Sequence, residues 1–161
     1  MDDFVWEPVT RANLSHLKNV NATLFPVQYS RSFYDDILTP DRKNFNRLIY
    51  DRKTKKAIGA VCCKILLPRD LADFDDVKMR ILTLGCLESY RRKKLGSMMM
   101  EFVYRLCAEF PFVTSICLRT QVCNTAAVKF YLKHGFEIAE TTEFYYDSLD
   151  DKAAHLFVKR L

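Results

Sequence analysis

The sequence predicts one α/β domain with a mixed central sheet of about seven strands and about four helices. Three observations carry this reading. Short runs rich in β-branched and aromatic residues alternate with stretches whose apolar residues recur at helical spacing, in the order β-α-α-β-β-β-α-β-α-β-β. The 161 residues suit one core, and 49% of them are apolar, as in ordinary globular chains. Glycine is sparse, and no linker, repeat or low-complexity stretch divides the chain, so one domain is placed over residues 1–161.

Each element has a local justification. "FVWEPVT" reads as a first strand. Thr10 is the expected cap of a helix that puts Leu14, Leu17 and Val20 on one face. Pro26 breaks that pattern in "FPVQY", and residues 30–38 read as a short second helix. "NRLIYD" and "AIGAVCCKILL" are strands joined by the turn-like "DRKTKK". A polar loop, "PRDLADFDD", precedes the strand "VKMRILTLGCL". Leu95, Met98, Met99, Phe102, Val103, Leu106 and Cys107 then recur at helical spacing, which predicts a helix over about 92–109. "SICLRTQV" is the next strand. Asn124 can cap a helix that runs to Lys133 and stops at Gly135 as its C′ residue. "FEIAETTEFYY" and "AAHLFVKRL" complete the strands.

Composition narrows the function classes. The net charge of +5 is mild for a nucleic-acid binder, and the positive charge is local. No apolar run reaches the length of a membrane span, so no membrane partner is expected. The start "MDDFVWEPVT" is acidic and lacks a signal-peptide layout. The six cysteines form no C-x-x-C pair, which favours buried free thiols in a reducing compartment over disulfides or a metal site. The expected location is therefore the cytoplasm, with the nucleus as an additional one. His16, His134 and His155 do not join a Ser or Cys in a recognisable hydrolytic set.

One stretch resists a purely structural account. Arg91, Arg92, Lys93 and Lys94 crowd the predicted start of the long helix, where the helix dipole disfavours cations. A polyanion among them resolves the conflict, because free backbone N–H groups at a helix start already favour phosphate. Arg and Lys add charge-assisted bonds to it. The plainer reading is a solvated basic patch. A P-loop is excluded, since no G-x-x-x-x-G-K-[ST] pattern is present.

"TLGCLESYRRKKLGSMMM" resembles the acetyl-CoA signature of the GCN5-related N-acetyltransferases (GNAT), in which a strand leads through R-x-x-G-x-G/A into a helix. "NTAAVKFYLKHGFE" resembles that superfamily's later segment. "LFPVQY", "IGAVCC", "TLGCL", "FYLKHGFEI" and "EFYYD" together resemble the NatE-type (San) branch of N-terminal α-amino acetyltransferases, over residues 4–161. The resemblance implies acetyl-CoA as cofactor and a peptide or nascent protein N-terminus as substrate, with Met followed by an apolar residue. It implies that main-chain groups of Leu84, Gly85, Cys86 and Leu87 pair with the pantetheine arm. It likewise assigns the pyrophosphate to Arg91, Arg92, Lys93, Lys94, Leu95, Gly96 and Ser97. Asn124 and Tyr131 match cofactor-proximal positions, with Tyr131 as general acid for the leaving thiolate. Phe25, Pro26, Val27, Tyr29, Tyr145 and Tyr146 match the walls of the peptide pocket. Plainer readings stand beside these: core for Phe25 and Val27, strand residues for Tyr145 and Tyr146, a helix cap for Asn124.

Three positions depart from the pattern. Lys94 replaces the signature's first glycine; a lysine fits there with a negative φ and an outward side chain, or supplies an extra cation. Arg80 and Arg119 stand where the branch carries a Tyr and a His that hold the proton-accepting water. Arginine has no acceptor and stays charged, so the usual base pair is absent. The two guanidiniums are expected close together on adjacent strands, in need of an anion such as a local carboxylate or an acidic peptide side chain. The leading expectation is an N-terminal acetyltransferase. The alternative is a catalytically weak or inactive subunit beside the catalytic and auxiliary subunits of a ribosome-associated N-terminal acetyltransferase complex. A nucleic-acid-binding module ranks last, because aromatic and basic residues do not interleave.

Overall fold

The computed structural model describes residues 2–68, 76–147 and 149–161. Most of the predicted loop "PRDLADFDD" lies outside the described residues. The strands are β1 (Phe4–Pro8), β2 (Asn46–Asp51), β3 (Ala57–Leu66), β4 (Lys78–Cys86), β5 (Ser115–Gln121), β6 (Glu137–Thr142) and β7 (Ala154–Arg160). The helices are α1 (Leu14–Leu24), α2 (Arg31–Ile37), α3 (Leu95–Ala108) and α4 (Thr125–Lys133). Their order is the predicted one, with short 3-10 turns added at Pro40–Phe45 and Glu88–Tyr90. All seven strands join one mixed sheet in the order β1-β2-β3-β4-β5-β7-β6. No described helix is long and apolar enough to cross a membrane.

The chain divides into two compact units, Met1–Lys64 with Leu82–Glu109, and Ile65–Ile81 with Phe110–Leu161. In the first, β1, β2 and β3 pair antiparallel, with a bulge between Ile49 and Tyr50. Gly59 permits a close strand approach, since a Cβ there would meet the carbonyl oxygen of Gly85 at 2.9 Å. Helices α1 and α2 bury Leu17, Val20, Tyr34 and Ile37 against Leu48, Ala60 and Cys62. Burial at this scale contributes about 1.5–3 kcal/mol per large side chain. Buried Asn21 on α1 donates to the hydroxyl of Tyr34 on α2 at 3.2 Å, which ties the two helices together. Ser30 caps α2 by accepting from the Phe33 amide. Thr10 is not the cap of α1: Asn13 holds that position, and its side chain instead accepts from the Thr10 amide at 2.7 Å.

The long helix starts with the first residue of its apolar pattern and not at the expected residue 92. α3 begins at Leu95, so Arg91, Arg92, Lys93 and Lys94 form the turn before it and not its first turn. Its buried face is Leu95, Met99, Met100, Val103, Leu106 and Cys107. Met98 is 37% exposed, and Met100 takes the inward place. Three adjacent methionines are interchangeable by hydropathy, so only the true helix phase separates them.

In the second unit β4 and β5 run parallel, with Arg80 opposite Cys117. β7 lies antiparallel between β5 and β6. Asn124 caps α4 by accepting from the Ala127 amide at 3.2 Å. Gly135 ends it at φ +85, a conformation that favours glycine. Lys159 Nζ donates to the His134 carbonyl at 2.6 Å, a cation at the helix's negative end. Cys62, Cys63, Cys86, Cys107 and Cys117 are free and buried, and Cys123 is exposed. Burial pushes the Cys62 and Cys107 thiols up to about 11, away from thiolate chemistry.

Candidate active site

The first unit supplies an anion cradle. Tyr90 donates to Asp51 at 2.6 Å, which pins the Glu88–Tyr90 turn to the end of β2. Lys93 Nζ lies 5.3 Å over the Tyr90 ring. Arg92 and Lys94 then adopt left-handed backbone, at φ +66 and +64. The expectation of a negative φ at Lys94 is therefore corrected. The backbone keeps the conformation that glycine favours, at a cost of roughly 1–2 kcal/mol per residue. Left-handed residues leading into a helix start form concave anion sites from backbone N–H groups. The first intrahelical bond of α3 is from the Met98 amide to the Lys94 carbonyl at 3.0 Å. The Leu95 and Gly96 amides thus have no partner inside the helix. No side chain caps this end. Ser97 follows within the same first turn.

Gly85 lies under the Phe25 ring: a Cβ there would be 3.5 Å from Phe25 Cζ and 3.3 Å from Leu24 Cδ1. Phe25 itself is extended, at φ −123 and ψ 136, as a residue before proline prefers. The segment after α1 is held by an aromatic ladder. Phe25 meets Tyr29 edge-on at 6.3 Å, and Tyr29 stacks on Phe33 at 4.5 Å. Phe25, Pro26, Val27 and Tyr29 line one open pocket of about 1010 Å³, together with Lys18, Tyr34 and Asp35. The four predicted residues are thus brought together within one unit. Of the strand residues expected to face pantetheine, Leu87 is already engaged. Its amide donates to the Ile58 carbonyl at 2.8 Å, and its carbonyl accepts from the Tyr90 amide. Leu84, Gly85 and Cys86 form the end of β4.

The second unit holds the arginines. Arg80 Nη2 donates to the Tyr145 hydroxyl at 3.4 Å, and the Arg119 guanidinium lies 4.5 Å over the Tyr145 ring. The two cations are thus gathered on one phenol, as their adjacent strands predict. Arg119 also reaches Glu140 at 3.8 Å, while its buried Nη1 has no hydrogen-bond partner among the described residues. Tyr145 and Tyr146 do not continue β6, which ends at Thr142. Both of their amides donate to the Lys152 carbonyl in the loop that follows, and the rings meet edge-on at 4.9 Å. Bonding to a loop carbonyl replaces a ladder there, and alternation alone does not reveal it. Burial, then the neighbouring Tyr145, raises the Tyr146 phenol above its ordinary value, so at neutral pH it is a proton donor and not a base.

Tyr131 on α4 is buried, packed edge-on against Phe136 at 5.4 Å and beside Phe157 at 5.7 Å. Asn124 stands exposed at the start of the same helix, its side-chain oxygen already used as a cap. The residues missed at the level of sequence are Asp51 and Tyr90, which fix the basic turn. Tyr90 is visible among the cations, but its partner lies 39 positions away.

A sheet with a basic, left-handed turn feeding a central helix defines the class of this protein. The chain matches the Acetyltransferase (GNAT) family over residues 14–136, and it belongs to that family. It is 36% identical over 153 residues to N-alpha-acetyltransferase 50 of Danio rerio, covering 95% of this chain and 86% of the relative. It is 37% identical to the probable N-acetyltransferase san of Drosophila melanogaster, covering 95% of this chain and 78% of the relative. Its fold matches Naa50 of Arabidopsis thaliana, solved in complex with the bisubstrate analogue CoA-Ac-MVNAL. The TM-score is 0.87 at 29% identity, over 99% of this chain and 100% of that one.

Proposed function

We propose that this protein transfers the acetyl group of acetyl-CoA to the α-amino group of peptide or protein N-termini. The basic turn at Arg92 and Lys94, leading into the uncapped start of α3, carries this reading. Its amides and cations fit a pyrophosphate, and it gathers two left-handed L-residues, Arg92 and Lys94, where the plain turn between β2 and β3 holds one, Lys55. Leu84, Gly85 and Cys86 at the end of β4, with Leu87 directly after them, are the main-chain candidates for the pantetheine arm. Phe25, Pro26, Val27 and Tyr29 offer apolar walls to the first side chain of the substrate, with one phenol for its backbone. The bound thioester supplies the acetyl group. The neutral amine would add to its carbonyl and the C–S bond would break, the amine's proton passing to solvent water and the thiolate taking one in return. Tyr131 is the candidate donor to the sulfur and Asn124 the candidate neighbour at the start of α4.

Arg80 and Arg119 favour a second reading, a catalytically weak or inactive subunit that works beside a larger N-terminal acetyltransferase complex at the ribosome. Neither arginine accepts a proton. Calorimetric titration with acetyl-CoA and a peptide acetylation assay test both readings. Saturable acetyl-CoA binding with peptide turnover supports the enzyme. Binding without turnover favours the subunit, and no binding overturns both. Gly96→Pro removes one amide at a position where the first turn of a helix tolerates proline. It is expected to abolish acetyl-CoA binding with the fold intact by circular dichroism; unchanged affinity would count against the cradle.

A further inference from the structure

We propose that Arg80 and Arg119, gathered on Tyr145, bind a carboxylate side chain of the peptide substrate. This rests on the acetyl-transfer reading above and gives it a substrate class. It adds an acidic residue to the expected substrate.

Four observations converge. Two guanidiniums share one phenol, one through its hydroxyl at 3.4 Å and one over its ring at 4.5 Å. Arg119 Nη1 is buried with no partner among the described residues, an arrangement that is expensive unless a ligand completes it. Among the described residues the local charges do not balance. Glu140 reaches Arg119 at 3.8 Å, too long for a hydrogen bond, and is itself 55% exposed. Asp76 is paired with Lys78 at 3.3 Å, and Arg80 enters no ion pair among the described residues. The remaining neighbours, Tyr146 and Cys117, are held protonated by burial. A carboxylate is the planar anion that a guanidinium fork matches bidentately. It also offsets the repulsion that the two arginines exert on the ammonium form of the incoming amine, which a neutral side chain does not.

The test uses the full chain saturated with acetyl-CoA and otherwise identical peptides carrying Asp, Asn, Glu, Gln or Leu at each position in turn. Turnover and peptide binding are both read. The acid is expected to exceed its isosteric amide by roughly ten-fold or more in kcat/KM. Raising salt from about 50 to about 500 mM should shrink that preference. Arg119→Gln is expected to bring the acid and its isosteric amide to nearly equal kcat/KM, the ratio being read within the same variant whatever its rate on the Leu peptide. Glu140→Gln, on an exposed edge strand where folding is not at risk, frees Arg119 and should tighten the acidic peptide roughly two- to five-fold. Normal acetyl-CoA binding and turnover with equal rates for Asp and Asn peptides would overturn this proposal alone. Absence of acetyl-CoA binding would overturn it together with the acetyl-transfer reading.

Discussion

At the scale of single residues, function here turns on what an arginine is unable to do. A peptide α-amine has a pKa of about 7.7–8.0, so a useful minority is neutral near physiological pH without help. Arg80 and Arg119 accept no proton, and the raised Tyr146 phenol does not serve as a base near neutrality. The rate is therefore expected to rise with pH through the amine's own pKa, around 8. The lower plateau that an enzymic base produces should be missing. A pH profile from about 6 to about 9 checks this, and brisk turnover at pH about 6.5 would mean that another group is the base. Replacing Arg80 by Tyr and Arg119 by His together is expected to raise the rate near pH 7 by up to about 10²-fold, the low end of what a positioned base contributes. Gly59 is the structural counterpart of these residues. Gly59→Ala sets a methyl 2.9 Å from a backbone oxygen that belongs to a paired strand. It should destabilise the protein by about 1–3 kcal/mol, measured by denaturant unfolding with an unchanged m-value.

At the scale of elements, the start of α3 is where sequence and conformation conflict. Lys94 sits at the cap with φ +64 and makes no side-chain cap bond. Glycine adopts that backbone freely and is an acceptable cap. Lys94→Gly is therefore expected to stabilise the protein by roughly 0.5–1 kcal/mol, the relieved strain being partly offset by unfolded-chain entropy. Lys94→Val should destabilise it by about 1–2 kcal/mol, because a β-branched residue fits that region worst. Thermal midpoints and acetyl-CoA affinity measured on both variants separate the two contributions of Lys94. If the glycine variant gains stability but loses affinity, the charge serves the ligand; if it gains both, the lysine is only tolerated.

At the scale of the whole molecule, ligand binding must appear as stability. Acetyl-CoA at about 100 times its Kd should add about 2.7 kcal/mol, which for a chain of this length is on the order of 5–10 °C in Tm. A thermal scan with and without acetyl-CoA reads this directly, with CoA and adenine as comparisons. No shift at saturating ligand would contradict the assigned cradle.

The sequence by itself determined the order of strands and helices, the cap at Asn124, the stop at Gly135 and the break at Pro26. These are short-range matters, settled by hydrophobic period, by an amide oxygen next to free N–H groups, and by proline and glycine backbone limits. It also exposed the basic run, because charges at a helix start conflict with the dipole wherever the chain folds. Tertiary structure alone decided which methionine turns inward and that Lys94 takes the left-handed backbone its side chain disfavours. It moved Tyr145 and Tyr146 out of the strand to a shared bond with Lys152. It also set Arg80 and Arg119 on one ring, with a guanidinium nitrogen buried and unmatched. Such outcomes depend on partners tens of residues away, as Tyr90 depends on Asp51. Local propensity, worth only tenths of a kcal/mol per residue, yields there to packing and hydrogen bonds worth more.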